Sequence, residues 1–110
     1  MDVTPQKLKE ELKTDKRITI VDLQAAHEYE HSHIPGAVNI PLDKFEEEYP
    51  HVLHDKDEII VVYGEYDELH KGSDACKILE AAGYEKVGHV VGGIHGWKDA
   101  GFPAEGGRES

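Results

Sequence analysis

Glu58-Ile59-Ile60-Val61-Val62-Tyr63-Gly64 is the stretch around which the rest of the chain organises itself. From Ile59 to Tyr63 the run is continuously apolar and mostly β-branched, with no polar alternation. That pattern fits a central strand of a parallel sheet covered on both faces. Downstream, Gly64 to Gly72 is polar and carries no apolar period. Ser73 then reads as the N-cap of a helix whose Ala75, Ile78, Leu79 and Ala82 fall at i, i+3, i+4, i+7, and Gly83 supplies its stop. Val87 to Val91 reads as a further strand, followed by Gly92-Gly93 and a last helix carrying Trp97.

Upstream, Thr4-Pro5 starts a helix, with a hydroxyl at the N-cap and proline at the first helical position. Leu8 and Leu12 give it one apolar face to about Lys13. Ile18, Ile20 and Val21 form a strand ending at Asp22, and Ala26 to His31 a short helix halted by Ser32 and the Ile34-Pro35-Gly36 turn. Ala37 to Ile40 reads as a short strand. Asp43 is then expected to cap a brief helix through Glu48, with Pro50 closing it. Strands alternating with helices argue for an α/β layered domain, in which ligand sites form at the C-terminal ends of strands. Here that end is the loop after Tyr63.

The 110 residues allow one domain. Twelve basic against 23 acidic side chains give a formal net charge of −11. An excess of that sign repels phosphate backbones, so no nucleic-acid partner is expected. The apolar run from Ile59 to Tyr63 is far too short to span a bilayer, so no membrane association is expected either. Met1-Asp2-Val3-Thr4-Pro5-Gln6 has no basic stretch leading into an apolar one, and the expected location is cytoplasmic. A single cysteine, Cys76, rules out an internal disulfide and a four-cysteine metal site.

Four blocks in order carry a family resemblance. Val21-Asp22 with His33-Ile34-Pro35-Gly36-Ala37-Val38-Asn39-Ile40-Pro41-Leu42 looks like the first half of a rhodanese-like domain. Ile60 to Tyr63, the helix ending Leu79-Glu80-Ala81-Ala82-Gly83-Tyr84, and Val91-Gly92-Gly93 through Trp97 to Pro103 look like its second half. The resemblance implies a three-layer α/β fold: a central, mostly parallel five-stranded sheet flanked by helices. It places the domain at residues 4–103, with 104–110 as a flexible tail.

It also implies a sulfurtransferase whose cysteine, directly after the central strand, carries a persulfide. The loop that follows would cradle this anionic sulfur with backbone N–H groups. This chain has Gly64 at that position, and glycine has no side chain to carry sulfur. Its loop is long and holds Glu65, Asp67 and Glu68 against Lys71, a charge that opposes a thiosulfate-like substrate. Gln24 stands where the family commonly has arginine.

Cys76 is the weak substitute. With Ser73 as N-cap it would be the third helical residue, near enough to the helix N-terminus for a lowered pKa, or else a small buried apolar position.

The expected binding site is therefore the loop Gly64, Glu65, Tyr66, Asp67, Glu68, Leu69, His70, Lys71, Gly72 and Ser73. His70 is its one group able to titrate near neutral pH. Asp22, His33 and Trp97 are expected as structural residues beside the pocket: Asp22 to accept backbone N–H groups, His33 to hydrogen-bond within its turn, Trp97 to anchor the core. His27 and His31 share a helix face, and His51 and His54 form a second pair. A metal needs three or four converging ligands, so these histidines read as solvated and no metal or other cofactor is expected. The function that the resemblance and the glycine at position 64 together imply is that of a catalytically impaired rhodanese-like domain binding a small anion or protein partner, or acting as a regulatory module. The alternatives are a sulfurtransferase or sulfur carrier working through Cys76 or a partner thiol, and a histidine-based metal-binding protein.

Overall fold

The structure is a computed structural model describing residues 2–65 and 71–106. Its elements run β1 (Asp2–Val3), α1 (Pro5–Glu11), β2 (Ile18–Asp22), α2 (Ala26–His31), β3 (Val38–Asn39), a 3₁₀ turn (Leu42–Lys44), α3 (Phe45–Val52), β4 (Ile59–Tyr63), α4 (Lys71–Ala81), β5 (Val87–Val90) and α5 (Gly93–Asp99). The five strands form one sheet in the order β1-β5-β4-β2-β3, and every pairing is parallel. β4 lies in the middle, as its unbroken apolar run requires.

Alternate side chains of β4 feed two cores. Ile60 and Val62 join Val21, Leu23, Phe45, Leu53, Leu79 and Tyr84 on the face covered by α3 and α4. Val61 and Tyr63 join Leu8, Ile20, Ile34, Val90, Ile94 and Trp97 on the face covered by α1 and α5. The three-layer arrangement follows from this period of two in a strand buried on both sides. α1 begins as expected: the Thr4 side chain accepts the Lys7 N–H at 3.0 Å, and Pro5 takes the first helical position.

Several boundaries differ from expectation. Asp43 caps nothing. It lies in the 3₁₀ turn, α3 starts two residues later, and Lys44 before it makes no side-chain cap. Pro50 sits inside α3 instead of closing it. Proline removes one N–H and disfavours helix at the residue before it. Burial of Phe45 and the contacts of Tyr49 with Phe45 and Tyr84 hold the turn in place, and the Leu53 N–H reaches the Tyr49 carbonyl at 2.8 Å beyond it. Ser73 is no N-cap either, because α4 already includes Lys71 and Gly72.

Beyond Pro103 the chain stays against the domain. Glu105 and His33 exchange backbone hydrogen bonds at 2.8 and 3.0 Å, and Ala104 packs on the α1/α5 core. Residues 107–110 lie outside the described residues.

Candidate functional site

The C-terminal ends of β2 and β4 lie side by side, with Asp22 in register with Tyr63. Gly64 follows immediately and is buried. Its carbonyl accepts the Ile94 N–H at 2.9 Å, and the Glu65 carbonyl accepts the His95 N–H at 3.4 Å. These N–H groups belong to the first turn of α5, where a helix has no internal acceptors. Gly93, at φ +60°, makes the approach possible: a Cβ there would lie 2.3 Å from the Gly64 oxygen. The Glu65 carboxylate lies 3.4 Å from His95 Nε2. On the other side of the strand exit, Gly72 of α4 is buried against His89, which occupies the space a Cβ would need.

Of the expected loop, the structure therefore places Gly64 and Glu65 against α5, and Lys71, Gly72 and Ser73 in the first turn of α4. Tyr66, Asp67, Glu68, Leu69 and His70 lie outside the described residues.

Beneath the strand ends lies a buried polar network. Asp22 is completely buried; its Oδ1 accepts the Gln24 backbone N–H at 2.7 Å, as its expected role required. Its Oδ2 accepts the Gln24 amide at 2.9 Å and the Tyr63 hydroxyl at 2.5 Å. That hydroxyl in turn accepts the Ile34 N–H at 2.9 Å. Burial raises the Asp22 pKa above its ordinary value, and the hydrogen bonds from Tyr63 and Gln24 oppose the shift. Burial and the adjacent carboxylate raise Tyr63, so its hydroxyl stays protonated and donates.

Gln24 matters for more than an absent guanidinium, since its amide also reaches the Ser32 carbonyl at 3.1 Å and its own carbonyl receives the Asn39 amide at 2.9 Å. Tyr63 and Asn39 were not anticipated as members of this network. The one signal for Tyr63 was a polar tip closing a strand that neighbours another strand ending in aspartate.

His33 is held by its Nδ1 on the Tyr29 carbonyl at 2.7 Å and by stacking on the Tyr29 ring at 4.1 Å between centroids. Its Nε2 lies 3.6 Å from Glu105. Trp97 is buried, donates to the Pro103 carbonyl at 2.7 Å and packs on Phe102.

Cys76 departs from the reading that put it in a first helical turn: it lies in the second turn of α4, packed in the α3/α4 core at 5% exposure. The dipole effect has faded that far into a helix. Burial pushes the thiol up to about 11, with Glu80 adding to the effect. Among the described residues no three His, Cys, Asp or Glu side chains converge as a metal site, and no helix is long and apolar enough to cross a membrane.

The chain is similar to the "Putative sulfur carrier protein YrkF" of Bacillus subtilis, 31% identical over 99 residues that cover 87% of this chain and 50% of that protein. It is 36% identical over 91 residues to the tRNA uridine(34) hydroxylase of Sodalis glossinidius, covering 76% of this chain and 24% of the relative. It thus spans half or less of the length of these relatives. Among solved structures it superposes on the rhodanese-like domain of the Alr3790 protein from Anabaena sp. with a TM-score of 0.86, at 31% identity, over 98% of this chain and 83% of that one. The model of the rhodanese-like domain family matches residues 4–100, and with the parallel five-stranded sheet and this strand-end site the chain belongs to that family.

Proposed function

We propose that this chain is a rhodanese-like domain that has given up persulfide chemistry and works as a binding or regulatory module, holding a small anion or a protein partner at the strand end around Gly64. The observation that carries the reading is chemical. The residue directly after β4 is Gly64, and the chain's one sulfur nucleophile, Cys76, is buried in α4 with its thiol pushed up to about 11. A thiol attacks as its thiolate, so at neutral pH this one is close to inert. The test is thiosulfate:cyanide sulfurtransferase turnover, together with mass spectrometry of the chain after thiosulfate treatment. An unmodified mass and no turnover are expected. Turnover abolished by Cys76→Ser, or one added sulfur atom on Cys76, overturns the reading.

The second reading, sulfur transfer through Cys76 or a partner's thiol, draws on the likeness to a protein named as a sulfur carrier. It needs either an opening of the α3/α4 core or a thiol from outside. The same mass measurement, repeated with a persulfide-bearing partner protein, separates the two.

A further inference from the structure

A groove runs between α3 and α4 on the outer surface of the domain. Two adjoining cavities of about 550 and 510 Å³ form it and share Glu46, Lys77 and Ile78. Its floor is apolar: Leu42, Tyr49, Ile78 and Ala82 are half-buried and packed on the core beneath. Its rim is acidic: Asp43, Glu46 and Glu47 from one side and Asp74 from the other, with Lys77 as the lining cation.

Acidic residues in a first helical turn favour the helix that carries them, which accounts for Glu46, Glu47 and Asp74 one helix at a time. It does not account for acidic residues from both sides lining one apolar trough, where like charges repel and four acids stand beside one lysine. The charge and the floor together define the complement: apolar side chains along one stripe, flanked by ammonium or guanidinium groups.

We infer that the α3/α4 groove docks a basic amphipathic helix of a partner protein. From Asp74 to Ala81 the trough follows about 10 Å of α4, which matches about two turns of a docked helix anchored at i, i+3, i+4 and i+7. The site is independent of the strand end at Gly64 and of whether Cys76 carries sulfur.

The probe is a fluorescein-labelled peptide of about fourteen residues with leucine at helical spacing and lysine elsewhere, compared by fluorescence anisotropy with a permutation of the same composition that lacks the stripe. The amphipathic peptide is expected to bind and the permuted one to bind at least about tenfold more weakly. Combined Asp43→Asn, Glu46→Gln, Glu47→Gln and Asp74→Asn is expected to weaken binding about tenfold. Glu10→Gln, Asp15→Asn, Glu30→Gln and Glu85→Gln together remove the same charge from other exposed positions, and this set is expected to change binding less than about threefold. Ile78→Ser, which keeps every charge, is expected to weaken it as well. All these side chains are exposed or half-buried, and circular dichroism checks that each variant is folded. Equal losses in the two charge sets, equal binding of both peptides, or no binding refutes the proposal. So does self-association of the free chain abolished by Ile78→Ser, which would make a second copy the occupant.

Discussion

Tyr63→Phe removes one oxygen atom and tests whether the network under the strand ends is what braces them. In the structure that oxygen donates to Asp22 Oδ2 at 2.5 Å and accepts the Ile34 N–H at 2.9 Å, both in the interior. Losing a hydrogen bond to a charged group costs about 1.5–3 kcal/mol, and stranding a buried N–H about 1–3 kcal/mol. With partial relaxation the expected loss is about 3–4 kcal/mol, a large share of the ~5–15 kcal/mol typical of a folded domain.

The pH dependence makes the prediction specific. Asp22 has its pKa raised from an ordinary 3.8, chiefly by burial. The native state therefore holds this proton more tightly than the unfolded state does. The stability Asp22 contributes is fully present below about 3.8 and is lost as pH rises through its raised native value. Tyr63 donates to the ionised carboxylate and limits that loss, so the deficit of Tyr63→Phe grows as pH rises through this window. Urea unfolding of both proteins at several pH values between acid and neutral measures it. A deficit below about 1 kcal/mol, or one that stays flat or shrinks as pH rises, refutes the account.

Gly93→Ala is expected to cost well over 2 kcal/mol, because it adds a collision with the Gly64 oxygen to a left-handed backbone; Gly101→Ala, left-handed but with nothing within 4 Å, is expected to cost only about 1–2 kcal/mol in the same urea titration. The Cys76 thiol, pushed up to about 11, is about one part in a thousand ionised at pH 8, so a disulfide reagent is expected to label it orders of magnitude more slowly in the native chain than in denaturant. Trp97→Phe loses the bond to the Pro103 carbonyl and part of the packing on Phe102, and is expected to cost about 2–3 kcal/mol. Hydrogen exchange is expected to quicken more at Glu105, which follows Pro103 closely, than at Ile20 in the centre of β2.

The strands that position the site were legible because β2 and β4 are β-branched runs whose burial leaves little choice of structure, and β5 carries a buried valine at each end. β1 was not legible. Asp2–Val3 is two residues long and owes its strand character to pairing with His89 and Val90, a partner its own sequence does not announce. The start of α4 was misjudged for a related reason: Ser73 is a good cap by chemistry, but Gly72 is already helical and packs against His89, a contact that spans the fold. Pro50 shows tertiary packing overriding a local stop, with Phe45, Tyr49 and Tyr84 clustered around its turn. At the site, the expected bond from Asp22 to a backbone N–H was local, two residues along. Its bond to Tyr63 joins positions 41 apart in sequence, and only the register of β2 against β4 brings them together.

The same geometry limits what an occupant of the strand end can be. A cradle for an anion needs N–H groups that are still free to donate. At the start of α5 the Ile94 and His95 N–H groups already donate to the carbonyls of Gly64 and Glu65, so these two amides lock the strand exit and do not serve an anion as well. Asp22 lies fully buried at the end of β2, and the Glu65 carboxylate faces His95 beside Gly64, so the charged groups described here oppose a second anion more than they welcome one. Within the proposed function this favours the arm in which a protein partner is held. A partner presenting a cation or an amide would lose nothing to these carboxylates, whereas thiosulfate would have to overcome them. The distinction is measurable by titrating the chain with thiosulfate and following the His95 ring resonances. Saturable movement below about 1 mM, a binding free energy near −4 kcal/mol, would mean that the site holds anions despite its charge, and would refute the preference for a protein partner.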